Sequence, residues 1–308
     1  MAHQQRRQPQ CGRIANRQER WLADRSEHMA KPVLLTGFVI CLLLTACDRL
    51  FFYPEKQLQR TPAALGLPYE DVSFPSTDGT MLHGWFLPAR GKAKATIVFM
   101  HGNAENISTH FGAVYWLPAH GFNVFVWDYR GFGHSEGQPD IEGVHRDARA
   151  ALQYVIGRPD VDPGKIVLFG QSIGAAIALH TAATTSHPLL AVVAESAFSR
   201  YSAIMREKMA ASLITWPFQW TTVFLTRGYD PLDAVRRIHI PLLLIHGDHD
   251  RVVPLHHAQE LYDNANPPKQ LWIIESGGHI GAFTPEHQAY RKRLVAFLET
   301  LASLHRQP

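Results

Sequence analysis

The stretch Lys165-Ile-Val-Leu-Phe-Gly-Gln-Ser-Ile-Gly-Ala-Ala-Ile-Ala-Leu179 decides the fold expected for this chain. Ile166–Phe169 is a short apolar run typical of a buried strand, and the small apolar residues at the end of the stretch begin a buried helix. Between them lies a G-x-S-x-G turn, Gly170–Gly174, which holds a serine side chain clear of the backbone. The sequence therefore predicts Ser172 as a nucleophile. The N–H of Ile173, at a helix N-terminus, is predicted to stabilise an oxyanion.

Apolar runs and helical repeats alternate on both sides of this stretch. Further strands are predicted over residues 72–75, 80–87, 95–100, 123–127, 190–194, 241–245 and 270–274. Helices are predicted over residues 106–120, 141–156, 255–265 and 285–301. This alternation indicates an α/β fold with a mainly parallel central sheet and helices on both faces. The segment at about 199–230 interrupts the alternation, and we expect it to form a short helical cap over the carboxyl ends of the strands.

A serine nucleophile needs a base, and the base needs an acid that orients it. The strand over 270–274 leads into a glycine pair followed by His279, and a loop at this position can bring an imidazole to Ser172. The strand over 241–245 leads into His-Gly-Asp-His-Asp, which offers Asp248 and Asp250. We assign the base to His279 and the acid to Asp250, because Asp250 lies further beyond the strand end. Asp248 remains the alternative.

Two further elements of a hydrolytic site are predicted from position in the chain. Asn103 follows the strand over 95–100, where the second oxyanion N–H is expected, with Ala104 as the alternative. The aromatic residues Trp216, Phe218 and Trp220 of the cap segment are expected to line an open, shallow acyl pocket above Ser172. Short to medium acyl chains would suit such a pocket.

The first 47 residues differ in composition from the rest. Residues 1–28 are polar and rich in Arg and Gln, so they are expected to be disordered or to be a mis-assigned upstream extension, with Met29 the better start. Residues 29–47 have the parts of a secretory signal and end in Leu-Thr-Ala-Cys, which resembles a bacterial lipobox. Lipidation at Cys47 would anchor the chain to a membrane on the periplasmic side. A plain N-terminal membrane anchor is the alternative.

Residues 48–67 are expected to be a tether between this anchor and a domain at 68–304. The segment Phe51-Phe-Tyr-Pro54 within it could lie on the membrane surface or pack on the domain. Asp48 directly follows Cys47, and in enteric bacteria an aspartate there favours retention at the inner membrane.

Charge and cysteine usage narrow the possible functions. The net charge is +3, but residues 1–31 contain seven basic and three acidic side chains. The rest of the chain, with 23 basic and 24 acidic residues, has no basic excess, so a nucleic-acid partner is not expected. No cysteine follows Cys47, which leaves no disulfide or cysteine-based metal site in the folded body. Adjacent His256 and His257 are expected to diverge on a helix, so neither a metal nor a cofactor is predicted.

Several of these motifs together resemble the α/β-hydrolase superfamily of serine hydrolases over about residues 74–301. The matching stretches are His101-Gly-Asn-Ala104, Asp128-Tyr-Arg-Gly-Phe-Gly-His-Ser135, Gly170-Gln-Ser-Ile-Gly174, Glu195-Ser-Ala-Phe198, His246-Gly-Asp-His-Asp250 and Gly278-His279. They are most similar to the small-cap subgroup that contains membrane-associated acyl-protein thioesterases and bacterial lipoproteins.

This resemblance implies an α/β-hydrolase fold with Asp250 as the triad acid. It also implies cleavage of a small acyl ester, a thioester or an acylated substrate through an acyl-serine. A serine aminopeptidase on the same fold is the alternative, followed by a non-catalytic binding lipoprotein.

Overall fold

The computed structural model describes residues 51–211, 213–224 and 228–304. The chain divides into two units, Met1–Cys47 and Asp48–Pro308, and the described residues belong to the second. The expectations for residues 1–47, including lipidation of Cys47, therefore lie outside the described residues.

The described residues form ten strands, eight of which build one sheet. The strands are β1 (Tyr53–Pro54), β2 (Glu70–Pro75), β3 (Met81–Leu87), β4 (Ala95–Met100), β5 (Ala104–Glu105), β6 (Phe122–Asp128), β7 (Ile166–Gln171), β8 (Ala191–Glu195), β9 (Leu242–Gly247) and β10 (Lys269–Ile274). The order across the sheet is β2-β3-β6-β4-β7-β8-β9-β10, while β1 pairs only with β5. The β2–β3 and β3–β6 pairs are antiparallel, and all the other pairs are parallel.

Seven α-helices occur in the same part of the chain. They are α1 (Ile107–His110), α2 (Ile141–Ile156), α3 (Ile173–Thr184), α4 (Tyr201–Ala210), α5 (Pro231–Val235), α6 (His256–Asn264) and α7 (Gln288–Leu304). The 3₁₀ turns are Pro62–Leu65, Phe111–Ala113, Leu117–His120, Trp216–Phe224 and Pro285–His287. None of the helices described combines the length and the apolar character that a membrane span requires.

The central strands are buried along their whole length, which explains why they read as continuous apolar runs. Every residue of β4, β6, β7, β8 and β9 is buried. Such burial arises when helices cover both faces of a parallel sheet. The predicted α/β fold with a mainly parallel sheet is therefore confirmed.

One predicted helix differs from the structure, and one short helix was not predicted. The helix predicted over 106–120 consists of α1 followed by two 3₁₀ turns, with Gly112 and Pro118 inside the predicted span. Proline lacks the N–H that a continuous helix needs at that position. The other difference is α5, a short helix with no apolar repeat to indicate it, which begins with Pro231 at its first turn.

The expected tether also differs, because its described part lies on the domain. Phe51 and Phe52 are buried, and β1 pairs in parallel with β5 in the loop after β4. A 3₁₀ turn follows at Pro62–Leu65. Of the two placements considered for residues 51–54, the structure has packing on the domain.

Candidate active site

Ser172 occupies a strained turn between β7 and α3. Its backbone has φ 55° and ψ −120°, a conformation that side-chain-bearing residues rarely adopt. A Cβ on Gly170 would lie 2.1 Å from the carbonyl oxygen of Gly174, and a Cβ on Gly174 would lie 2.1 Å from that of Met100. Both glycines are therefore required for the turn to close, and the turn holds Ser172 at the carboxyl end of the sheet.

Three side chains from three separate loops form a hydrogen-bonded row. His279 Nε2 lies 3.0 Å from Ser172 Oγ, and His279 Nδ1 lies 2.8 Å from Asp250 Oδ2. A carboxylate only accepts hydrogen bonds, so Nδ1 carries the ring hydrogen and Nε2 accepts from the serine hydroxyl. The loops follow β7, β9 and β10, and the chain order is Ser, Asp, His. This is the order found in α/β-hydrolases.

The carboxylate of Asp250 is buried and fully engaged. Its Oδ1 accepts the backbone N–H groups of Val252 and Val253 at 2.8 and 2.9 Å. Burial raises its pKa, but the hydrogen bond and charge of His279 and these two N–H donors outweigh burial, so the pKa lies below its usual value. Asp248, the alternative acid, is exposed. The structure thus brings Asp250, and not Asp248, to the imidazole.

His246 supports Asp250 from inside the protein, a role that the sequence pattern did not indicate. The ring is fully buried, and its Nε2 donates to the carbonyl oxygen of Val253 at 2.7 Å. The same nitrogen lies 3.4 Å from Asp250 Oδ2. Burial lowers the pKa of His246, so the ring is neutral at neutral pH.

A second buried carboxylate, Glu195, holds the loop that carries His279. It accepts hydrogen bonds from Gln171 Nε2 at 2.7 Å and from the N–H of Ala282 at 2.9 Å. The next residue, Ser196, accepts from the N–H of Ile280 at 3.2 Å. Burial raises the pKa of Glu195 in spite of these donors. Glu195 belongs to a motif that carried the resemblance, but its contacts could not be read from the sequence.

The two candidate oxyanion residues border the same cavity as Ser172. Ile173 begins α3, where the first N–H groups of a helix lack partners within the helix. Asn103 lies in the loop after β4, and its carbonyl oxygen accepts the N–H of Tyr53 at 2.8 Å. Asp128 supports this loop from below, because its Oδ1 accepts the N–H of Ile107 at 2.8 Å.

The cavity beside Ser172 has a volume of about 160 Å³ and is mostly apolar. Its lining residues are Phe51, Tyr53, Asn103, Ser172, Ile173, Phe198, Ile204, Met205, Lys208, Val252 and Val253. Helix α4 of the cap supplies three of these residues, and Phe51, Tyr53 and Asn103 supply three more.

The expectation that the cap tryptophans line this cavity differs from the structure. Trp216 and Trp220 are each 61% exposed and are not among the lining residues. The physical reason is the position of their segment, Trp216–Phe224, which packs against α4, while α4 itself faces the cavity. The side chain of Phe218 lies outside what the structure describes.

His256 and His257 also differ from expectation, because their rings stack instead of diverging. The ring centroids are 4.3 Å apart, and the two Nε2 atoms lie 3.1 and 3.2 Å from the Glu207 carboxylate. These three residues are the group in the described chain with ligand atoms close enough to hold a metal. However, His257 Nδ1 accepts the N–H of Ser199 at 3.2 Å, which places the ring hydrogen on Nε2, facing Glu207. The group therefore serves as a hydrogen-bonded link between α4 and α6.

The fold and the site together define a hydrolase of the α/β class, and known proteins agree. The family model described as serine aminopeptidase, S33, matches residues 91–231. The uncharacterized protein YfhR of Escherichia coli K12 is 37% identical over 273 residues, which cover 86% of this chain and 92% of that protein. The α/β-hydrolase domain-containing protein WAV2 of Arabidopsis thaliana is 31% identical over 281 residues, covering 85% and 91%.

Among solved structures, an esterase from Pyrococcus furiosus has a TM-score of 0.68 at 23% identity, covering 81% of this chain and 99% of that one. The chain belongs to the α/β-hydrolase superfamily of serine hydrolases.

Proposed function

We propose that this protein cleaves carboxylic ester or thioester bonds through an acyl-serine intermediate. The observation that carries the proposal is the row of hydrogen bonds from Ser172 Oγ to His279 and on to the buried Asp250, at 3.0 and 2.8 Å. Such a row is what a serine hydroxyl requires to act as a nucleophile near neutral pH.

In the first half of the reaction, Ser172 Oγ attacks the acyl carbon and its proton passes to His279 Nε2. The carbonyl oxygen becomes an oxyanion, which the N–H groups of Ile173 and Asn103 stabilise. As the bond to the leaving group breaks, His279 returns the proton to the departing alcohol or thiol. In the second half, water gives a proton to His279 and attacks the acyl carbon; His279 then returns the proton to Ser172 Oγ as the bond to the acyl group breaks and the carboxylic acid leaves.

Asp250 acts through the imidazole in both halves. Its negative charge stabilises the imidazolium that forms when His279 holds the proton. The Val252 and Val253 N–H groups fix its second oxygen, so the carboxylate stays aligned with Nδ1 without moving. This arrangement supplies the correct tautomer before the substrate arrives.

The description of the matching family model makes aminopeptidase activity the second candidate. An aminopeptidase needs an acidic group to hold the ammonium group of its substrate. Among the described residues that line the Ser172 cavity there is no carboxylate, and Lys208 places a positive charge there. A cation in the lining repels an ammonium ion, so the lining favours neutral acyl groups.

A substrate panel tests the choice between these reactions. Full-length protein in detergent is assayed with p-nitrophenyl acetate, butyrate and octanoate and with leucine and alanine p-nitroanilides, and Ser172→Ala is the control. We expect ester turnover that is absent in the control and little turnover of the anilides. Anilide turnover that exceeds ester turnover would move the assignment to a peptidase.

We also propose that lipid on Cys47 attaches the enzyme to a bacterial membrane on its periplasmic side. The apolar run at 33–44 and the motif Leu44-Thr-Ala-Cys47 at its end support this proposal, and Asp48 favours the inner membrane. Palmitate labelling of wild type and Cys47→Ser in the bacterial host is the test. Loss of label and an unprocessed precursor are expected in the variant, and equal labelling would refute lipidation at this residue.

A further inference from the structure

We infer that the N-terminal strap, defined as residues 51–59, is a working part of the active site that positions the oxyanion loop and selects the acyl chain. The oxyanion loop is the segment 101–106 after β4, which carries Asn103. The inference rests on the proposed function. It concerns two residues that lie outside the motifs that carried the resemblance. Tyr53 acts through its backbone on Asn103, and Phe51 forms a wall of the cavity beside Ser172.

The strap pairs directly with the oxyanion loop. β1 and β5 run parallel, with Tyr53 opposite Ala104 and Pro54 opposite Glu105. The N–H of Tyr53 donates to the carbonyl oxygen of Asn103 at 2.8 Å, and the N–H of Glu55 donates to that of Glu105 at 3.0 Å. These bonds fix the orientation of the peptide that follows Asn103, and thus the backbone of the candidate oxyanion donor.

The loop needs such support because its backbone is strained. Glu105 has a φ of 61°, a left-handed conformation that is uncommon for residues other than glycine. Strain of this kind persists only where the surrounding structure holds it. The strap provides that restraint from outside the central sheet.

Further hydrogen bonds join the strap to the loops after β4 and β6. Asn106 donates from Nδ2 to the carbonyl oxygens of Glu55 and Gln57 at 3.0 and 2.8 Å. On the other loop, the N–H of Gly133 donates to Glu55 and Lys56 Nζ donates to Ser135, at 2.9 and 2.6 Å. The strap is therefore held by hydrogen bonds at several residues, and these bonds fix its position relative to Asn103.

The two phenylalanines at the start of the strap point to different neighbours. Phe51 is 8% exposed, meets Tyr201 edge-on at a centroid distance of 5.4 Å, and lines the cavity. Phe52 is 5% exposed, packs on Phe132 at 6.3 Å, and does not line the cavity. Phe52 is therefore a matched control for Phe51.

The first experiment removes one backbone hydrogen bond. Tyr53→Pro lacks the N–H that reaches Asn103, whereas Tyr53→Ala keeps it and loses only the side chain. Both full-length variants are compared with wild type for kcat and KM on p-nitrophenyl butyrate, with circular dichroism to establish folding. Misplaced catalytic groups and lost oxyanion donors cost on the order of 10²-fold in rate, so we expect a loss of this size in kcat for Tyr53→Pro, with KM within threefold.

The positioning role is supported if kcat of Tyr53→Pro lies fivefold or more below that of Tyr53→Ala. A smaller difference in folded protein, or a loss confined to KM, would overturn it. If Tyr53→Pro does not fold, the decision passes to Phe51, whose variants leave the backbone intact.

The second experiment measures chain-length selection. The ratio of kcat/KM for octanoate to that for acetate esters is determined for Phe51→Ala, Phe51→Leu and Phe52→Ala. We expect the ratio to fall at least fivefold in Phe51→Ala, because the far end of the octanoyl chain loses apolar contact that acetate never makes. Leucine should restore the ratio to within twofold of wild type. An unchanged ratio in Phe51→Ala, or an equal fall in Phe52→Ala, would overturn the role of Phe51.

These outcomes are separate from a failure of the proposed function. If wild-type protein cleaves anilides and not esters, the ester assignment falls, and the Tyr53 comparison is then made with anilides at the same fivefold threshold. If wild-type protein hydrolyses esters while the strap variants match their controls, the ester assignment stands and the strap inference falls.

Discussion

Replacing Asp250 by asparagine separates the triad acid from its neighbour most sharply. In the structure, Oδ1 of Asp250 accepts two backbone N–H groups, so the amide oxygen of an asparagine would take that position. The amide NH₂ would then face His279 Nδ1, now 2.8 Å from Oδ2. Since NH₂ only donates, Nδ1 would become an acceptor and the ring hydrogen would move to Nε2.

This change of tautomer would prevent activation of Ser172. With a hydrogen on Nε2, the imidazole cannot accept the proton of Ser172, 3.0 Å away. The same change in a serine-protease triad lowers kcat by about 10⁴. We expect a loss of that order here, equivalent to about 5 kcal/mol of transition-state stabilisation.

The assay is kcat on p-nitrophenyl butyrate, with Asp248→Asn as the matched control because Asp248 is exposed on the same loop. We expect Asp248→Asn to stay within a few-fold of wild type. Thermal unfolding of both variants establishes that they are folded. Equal losses, or a larger loss in Asp248→Asn, would refute the assignment of the acid.

Three further predictions concern stability and selectivity. Arg130→Ala should reduce the unfolding free energy by about 3–5 kcal/mol, because it leaves the buried Asp147 carboxylate, now 2.6 Å from the guanidinium, without its charged partner; urea unfolding measures this, and a loss below 1 kcal/mol would contradict it. Burial lowers the pKa of both His110 and His180 to about 4, so each is neutral when folded, and its stabilising contribution is complete above pH 6.5 and lost as pH falls from 6.5 towards 4. Urea unfolding between pH 7.5 and 4.5 should show this decline, at up to about 1.4 kcal/mol per pH unit for each histidine, and His180→Gln should flatten it; an unchanged slope would count against the assignment. Trp216→Ala should leave the octanoate-to-acetate ratio within twofold of wild type, because the ring is exposed outside the cavity; a fivefold change would return Trp216 to the acyl site.

Local patterns predicted the parts of the fold that depend on neighbours in the chain. A buried strand, two glycines around a serine and a small-residue helix predict the turn at Ser172. Gly170 meets backbone within the turn itself, whereas Gly174 meets the carbonyl oxygen of Met100 on β4, which is distant in sequence. The α2 boundaries, Ile141–Ile156, match the predicted helix, since its apolar repeat and its capping Asp140 are both local. The helix predicted over residues 106–120 agreed less well with the structure, because proline and glycine interrupt its helical repeat.

The triad acid could be predicted from the sequence only in part. The loop after β9 offered two aspartates, and position beyond the strand end favoured Asp250. Hydrogen bonds from Val252 and Val253, close in the chain, separate it from Asp248, but only the folded loop reveals them. The assignment of roles to Ser172, Asp250 and His279 remains a prediction until activity is measured.

The residues that line the cavity could not be predicted from the sequence, because contacts between distant parts of the chain bring them together. Phe51 contacts Tyr201, which is distant in sequence. Tyr53 bonds to Asn103 through backbone atoms, and a backbone hydrogen bond of this kind leaves no pattern in the sequence. Aromatic content suggested Trp216 and Trp220 instead, because the sequence does not show which side of a cap segment faces the sheet. Glu195 was missed because its contact with Ala282 is also distant in sequence. His246 was missed because its contacts with Val253 and Asp250, although close in the chain, appear only in the folded loop.

Labelling of the nucleophile is the most direct test of the account. Wild-type protein and Ser172→Ala are incubated with a fluorophosphonate, and intact mass and peptide mass spectrometry locate the adduct. We predict one adduct per wild-type chain, on the peptide containing Ser172, and none on Ser172→Ala. An adduct on another residue, or equal labelling of the variant, would contradict the claim that Ser172 is the nucleophile of this hydrolase.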